Sequence, residues 1–431
     1  MVEFAIIGAG IAGLAAAHRL GSKGCRSRIF EACRQAGGLL APIIIDGFTF
    51  DTAVHLSFAS EPEVREVFDK TPYFTHNPES WCWDAGYWLK HPVQTNMYPL
   101  PAIDKTELIA GLASAVSGPI TSYKDWLVQQ YGEPIAVRWP LRYTEKYWTI
   151  PAERLGTDWV GQRMRKADLK EVLAGAFSAE TPNHYYVKEM RYPKQGGYEA
   201  FIRPMIEEAD IAYDHGVEAI SLGERTIRFA NGLSETFGQL VSTMPLPRLI
   251  DIIDDVPDTI RADAATLFAT SIDLISVGFR RPKVSPALWF YIYDEDILAA
   301  RAYSPDWKSP LNVPDGCSAL QFEIYSSREN PQNLSIADLK QNTIDGIAKM
   351  GIATSDDIIF IEHNHVRYAN VVFDLGMEER RNRVRDWVES QGIVLAGRFG
   401  EWDYLWSNQS CMSGFKAAER AILRRSPGID A

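Results

Sequence analysis

Only five of the 431 residues are cysteine, at Cys25, Cys33, Cys82, Cys317 and Cys411, and none forms a CxxC or ligand-spaced pair. That excludes a disulfide framework and a zinc site; no metal is expected, and reduced thiols imply a cytoplasmic protein. Positive charge is short as well. The 44 Lys+Arg against 56 Asp+Glu leave a formal charge of -12, which argues against a surface made for nucleic acid or an anionic membrane. Apolar runs of membrane-spanning length are missing. The stretch from Phe4 to Leu20 contains Gly8, Gly10 and Gly13 and ends in His18-Arg19-Leu20, so it is not read as a membrane span. No charged leader with a cleavage site is read at the start. There are no repeats and no low-complexity linker, so the two or three lobes that this length allows should be interleaved. No histidine–carboxylate pair stands out as an acid–base couple, which shifts the chemistry toward a bound cofactor.

What the sequence does contain begins at once. Phe4-Ala5-Ile6-Ile7 is a continuous apolar run, as a buried parallel strand requires. Gly8, Gly10 and Gly13 follow, then an alanine-rich helix over 12–20, then Arg28-Ile29-Phe30 as a second strand ending at Glu31. GxGxxG between strand and helix places a pyrophosphate on the helix N-terminus, and an acid at the end of the second strand accepts ribose hydroxyls. The cofactor is read as FAD, not NAD, from the second glycine turn Gly37-Gly38-Leu39 just after Glu31. A late Gly397-Arg398-Phe399-Gly400 after an apolar strand supports the same choice. Gly8, Gly10, Gly13, Glu31, Gly38, Leu39, Gly397 and Arg398 are the expected cofactor-binding residues.

The expected fold is α/β: a Rossmann-like FAD domain with a helical insertion and a β-rich substrate domain. The FAD domain is drawn from 1–75, 187–250 and 385–431, where Leu240 to Met244 reads as its return strand and a last helix starts near Ser413. Residues 76–186, crowded with tryptophan and carrying helical patterns over 105–115 and 121–131, form the mainly α-helical insertion. Residues 251–384 form the substrate domain, with strands over 272–279, 288–293 and 319–325.

Several segments together resemble the flavin-dependent UDP-galactopyranose mutases of the eukaryotic type, within the amine-oxidase-like flavoproteins. They are GAGIAGL, EACRQAGGLL, FDTAVHLSF, YTEKYWTIPAERLGTDWVGQRM, YPKQGGYEAF, VSTMPLP, ARAYSP and AGRFGEWDYLWSNQS. The resemblance implies a pyranose–furanose mutase, an isomerase without net redox change, acting on a nucleotide-activated sugar. Its FAD must be reduced, by NAD(P)H or another reductant, so that flavin N5 attacks the anomeric carbon and displaces a nucleoside diphosphate. The catalytic residues it implies are His55, Arg163, Arg301 and Tyr404. His55 would tune N5, the two arginines would hold the diphosphate, and Tyr404 would point at it. Gln94, Trp148, Trp289 and Tyr291, with Arg163, Arg301 and Tyr404, are the expected substrate contacts. The oligomeric state is left open.

The departures from that pattern are specific. Ala53 and Val54 stand where the family has two glycines before its histidine, which should stiffen the loop. His91 and Val93 replace a tyrosine and a phenylalanine of the nucleotide-base pocket, and valine offers no π face. Val372 stands at a second diphosphate-binding tyrosine. These changes argue against UDP-galactose itself and keep open an FAD oxidase or desaturase of the amine or protoporphyrinogen oxidase type.

Overall fold

The computed structural model describes residues 1–424 apart from 78, 162, 163, 165, 166 and 183–188. Two seven-stranded sheets organise these residues. In the first, Val2–Ile7 lies parallel to Ser27–Phe30 on one side and to Ser234–Ser242 on the other. Ile393–Leu395 adds a further parallel pairing to 240–242. Both faces of such a sheet are covered, and Phe4, Ala5 and Ile6 are fully buried. Helix Ile11–Ser22 packs against the last helix, Ser407–Leu423. The two approach so closely that a Cβ on Gly414 would stand 2.2 Å from the Ala12 carbonyl oxygen. This last helix begins well before Ser413, because Gln409 reaches back to accept the Trp406 N–H at 2.9 Å and closes its first turn.

The second sheet runs in the order Ile358–Val366, Ser271–Phe279, Ser318–Ser326, Arg301–Tyr303, Trp289–Ile292, Trp81–Asp84, Tyr87–Lys90. Its last two strands come from the stretch read as helical. Ala85 (φ 48°) and Gly86 (φ 90°) both take left-handed backbone, the geometry of a tight two-residue hairpin turn. Trp81–Trp83 can then pair in parallel with Phe290–Ile292. The helices Ala102–Ala113, Tyr123–Tyr131, Arg142–Trp148 and Leu169–Phe177 build a layer beside this sheet. Ser122 and Asp125 form a capping box that starts the second of them.

Every residue of Ser318–Ser326 is buried. On a strand, Gln321, Glu323 and Tyr325 point to one face, and that face meets the loop following Phe50. Asp51 at the loop's start pairs with Lys308 at 2.7 Å, both side chains at 0% exposure. Asp51 also accepts from the Tyr192 hydroxyl at 3.1 Å and the Tyr198 N–H at 2.9 Å. Burial pushes the Lys308 ammonium below its usual range, while the Asp51 charge opposes that shift. Lys308→Met should cost about 3–5 kcal/mol of folding stability, since it leaves a buried carboxylate without its counter-charge. Urea unfolding measures this; a loss under about 1 kcal/mol would show that the pair is dispensable.

Candidate active site

The three glycine segments meet at the N-terminus of helix Ile11–Ser22. A Cβ on Gly13 would fall 2.0 Å from the Gly8 carbonyl oxygen, and one on Gly8 would fall 2.3 Å from Thr243 Oγ1. These two are glycine because protein packs against them. At Gly10 a Cβ would meet nothing within 4 Å, so packing within the chain does not explain that glycine. It fronts the open space at the helix N-terminus where a pyrophosphate would lie. Gly37 donates its N–H to the Ala9 carbonyl at 2.8 Å, and a Cβ on Gly38 would come within 3.2 Å of Gly10 Cα. Gly397 (φ 79°) closes the third side, its N–H held by Ser413 Oγ at 2.8 Å. Glu31 accepts the Ala9 N–H (2.7 Å) and the Cys33 N–H (2.9 Å). The Cys33 thiol also hydrogen-bonds to this carboxylate, which still leaves acceptor capacity for a hydroxyl donor. The residues present therefore fit a dinucleotide-type flavin.

From this cradle the loop 51–56 leads to a cavity of about 990 Å³. Ala53 takes φ 68°, a left-handed conformation that costs an alanine roughly 1–2 kcal/mol. The backbone holds it there: Ala53 N–H donates to Gln321 Oε1 at 3.1 Å and Val54 N–H to Glu323 Oε1 at 3.0 Å. The glycine-type geometry is thus kept without glycine, by two hydrogen bonds from the strand Ser318–Ser326. His55 Nδ1 lies 3.3 Å from the Ala53 carbonyl. A carbonyl only accepts, so Nδ1 carries the proton and Nε2 of the neutral ring is left as an acceptor. Burial lowers the His55 pKa to about 4, partly opposed by Asp51, so the ring is neutral at pH 7.

Leu39, His55, Gln94, Trp148, Trp289, Tyr291, Arg301, Arg398 and Tyr404 all line this cavity. Of the eight expected cofactor positions, Leu39 and Arg398 are on this wall, and the other six, Gly8, Gly10, Gly13, Glu31, Gly38 and Gly397, lie off it around the N-terminus of helix Ile11–Ser22. Arg398 points two N–H groups to backbone, donating to the Leu405 carbonyl at 2.8 Å and the Ala369 carbonyl at 3.1 Å. It ties the closing loop together while facing the cavity. Arg301 donates to Glu323 and Tyr325 and lies 5.4 Å from the Tyr147 ring centre. The Tyr404 hydroxyl is 3.1 Å from that of Tyr147, and Trp148 packs edge-on to the Tyr404 ring. Arg163 lies outside the described residues.

Val93 is on the wall, and Val372 is fully buried away from it. On the same wall, however, the His91 and Tyr291 rings pack with centroids 4.7 Å apart, so the cavity has an aromatic face from strand Trp289–Ile292. The residues missed from sequence are Tyr143, Tyr147 and Tyr325 on the wall and Gln321 and Glu323 behind it. Polar side chains at alternate positions of the otherwise apolar strand 318–326 were the available signal. Among the described residues no group of three His, Cys, Asp or Glu could hold a metal, and no helix is long and apolar enough to cross a membrane.

Residues 6–71 match the model of an NAD(P)-binding Rossmann-like domain, and residues 133–422 match that of the flavin containing amine oxidoreductases. Among curated proteins, protoporphyrinogen oxidase 2 of Arabidopsis thaliana is 38% identical over 65 residues, 15% of this chain and 13% of that one. A 4,4'-diapophytoene desaturase of Staphylococcus haemolyticus is 53% identical over 50 residues, 12% of this chain and 10% of that one. The chain thus spans only about a tenth of the length of these relatives. Among solved structures, a reduced UDP-galactopyranose mutase superposes with a TM-score of 0.92 at 24% identity, covering 99% of this chain and 96% of that one. A putrescine oxidase bound to putrescine superposes at 0.66 with 16% identity, over 98% and 99%. These likenesses establish the fold.

Gly10→Val should abolish flavin binding while the melting temperature of the flavin-free protein stays within a few degrees; visible absorbance and a thermal melt read the two effects. A yellow variant would contradict the cradle. His91, whose pKa burial lowers to about 4, provides a pH test. The unfolded chain takes up its proton near pH 6.5 and the folded chain refuses it until about pH 4, so this residue's effect is full stability above pH 6.5 and a loss as pH falls toward 4. His91→Asn should reduce that loss by up to roughly 3 kcal/mol, measured as the difference between the two proteins' denaturation curves at pH 7 and pH 4.5.

Proposed function

The chain belongs to the flavin containing amine oxidoreductase family, and we propose that within it this protein is an FAD-dependent pyranose–furanose mutase of a nucleotide-activated sugar, an isomerase working in the cytoplasm. The observation that carries this reading is one cavity joining the flavin-side loop, with His55, to Arg301 and Tyr404. The whole-chain likeness to a solved UDP-galactopyranose mutase supports it.

When bound and reduced, by NAD(P)H or another reductant, the flavin would supply the nucleophile and return unchanged. The protein's part is to bind and orient. Arg301 offers a planar fork of N–H groups suited to paired bonds with phosphate oxygens, and Arg163 is assigned the same task. Tyr404, whose hydroxyl shares a hydrogen bond with Tyr147, can donate to the departing diphosphate and hold it for return. Neutral His55 offers Nε2 as an acceptor on the flavin side. Trp148, Trp289 and Tyr291 give the sugar and base flat apolar surfaces that exclude water, with Gln94 as a polar contact. In this reading the FAD domain comprises 1–75, 187–250 and 385–431, and the substrate lies between it and residues 76–186 and 251–384. An oxidase or desaturase is the competing reading, favoured by Val93 on the wall and by Val372, which has no hydroxyl to offer.

Dithionite-reduced protein under anaerobic conditions, mixed with UDP-, GDP- and dTDP-sugars, should interconvert ring-size isomers, seen by chromatography, and lose that activity when the flavin is oxidised. Arg301→Ala should lower kcat/KM by about 10²–10³-fold with flavin retained. Reduction of oxidised flavin by an amine or porphyrinogen, without ring-size conversion, would replace this reading by the oxidase.

A further inference from the structure

Glu323 is buried at 0% exposure, is not on the cavity wall, and its two oxygens serve two different places. Oε2 accepts from Arg301 Nε and, at 2.6 Å, from the Tyr325 hydroxyl. Oε1 accepts from the Val54 N–H at 3.0 Å. Arg301 itself is only 18% exposed, and through the cavity. A guanidinium so enclosed needs a counter-charge when no ligand is present, and Glu323 is that counter-charge. An anionic ligand reaching Arg301 meets a cation already engaged.

We propose that Glu323 is a positioning residue that acts as the resident competitor for Arg301, holding down anion affinity, and that it transmits anion arrival to the flavin-side loop through Val54. The proposal rests on the reading of Arg301 as a diphosphate site. When an anion draws the guanidinium toward the cavity, the bond to Oε2 loosens. The carboxylate is then free to shift, and Oε1 carries the Val54 N–H and the neighbouring His55 with it. A leaving group that has to be held and then released gains from such an arrangement, since a clamp of unopposed charge would retain it.

The amide made by Glu323→Gln separates this role from a merely structural one. It has one accepting oxygen and a donating NH₂, so it cannot accept from Val54 and from Arg301 together, and it carries no charge. A merely structural loss would loosen Arg301 and weaken anion binding; loss of a competitor strengthens it. Flavin-loaded protein is titrated with inorganic pyrophosphate, by calorimetry for affinity and by visible absorbance for the flavin. In the unaltered protein pyrophosphate should bind and perturb the flavin spectrum. In Glu323→Gln it should bind roughly tenfold more tightly, the scale of one charge-assisted hydrogen bond, with the perturbation lost.

Equal or weaker binding by the variant would overturn the competitor role, and a perturbation of undiminished size would overturn the link to the loop. If the unaltered protein binds no pyrophosphate, calorimetry reports failure of the diphosphate reading by itself. The competitor role is then judged by whether Glu323→Gln begins to bind. Should that variant not fold, Glu323→Asp keeps the charge on a shorter arm that cannot span both partners. It should leave pyrophosphate affinity within about threefold and remove the spectral response; a retained response would again overturn the link.

Discussion

A carboxylate with no access to water must be fully paired, and the pairing of Glu323 joins two sides of the cavity, the loop after Phe50 and the strand that carries Arg301. Its partners are a loop N–H on the first side and an arginine on the second. A few residues away, Asp51 and Lys308 repeat the device, with the acid at the start of the loop and the lysine just beyond the Arg301–Tyr303 strand. Buried ion pairs contribute little net stability compared with apolar packing, but they are costly to break. Both pairs are therefore better understood as constraints on position than as sources of stability. Between them the loop 51–55 is held tightly enough for Ala53 to keep a left-handed backbone.

That anchoring has consequences for the chemistry available. A histidine fixed through its Nδ1 to a carbonyl and kept neutral by burial can accept a hydrogen bond at Nε2 but is a poor proton donor near pH 7. The cavity beyond it is walled by tyrosine and tryptophan, with Arg301 and Arg398 as the arginines facing it among the described residues. Arg398 is occupied with backbone carbonyls. Arg301 is thus the arginine on this wall, among the described residues, that is engaged by side chains and not by backbone carbonyls.

Much of this was legible in the sequence where local pattern and local structure coincide. Gly8, Gly10, Gly13 and Glu31 sit where the strand–turn–helix pattern puts them, because that unit is built from neighbours along the chain. Ser271–Phe279 and Ser318–Ser326 match the β-rich runs read at 272–279 and 319–325. The hairpin at 81–90 was obscured by its tryptophans and by the helices that follow it, and its place at the sheet edge depends on a parallel pairing with Phe290–Ile292 about two hundred residues away. Residue-by-residue matching found the wall residues that resemble a known family. It could not find Glu323 or Lys308, whose importance lies in partners brought from distant segments. Nor could it show that the Tyr291 ring packs on His91, since the two come together only once the sheet has formed.

The most direct test of a shared flavin–diphosphate site is a crystal structure of the flavin-loaded protein with UDP. The diphosphate should lie within hydrogen-bond distance of the Arg301 guanidinium and the Tyr404 hydroxyl, with the base along Tyr291 and the flavin edge beside His55. UDP bound elsewhere, or a flavin-loaded cavity that stays empty at saturating UDP, would contradict it.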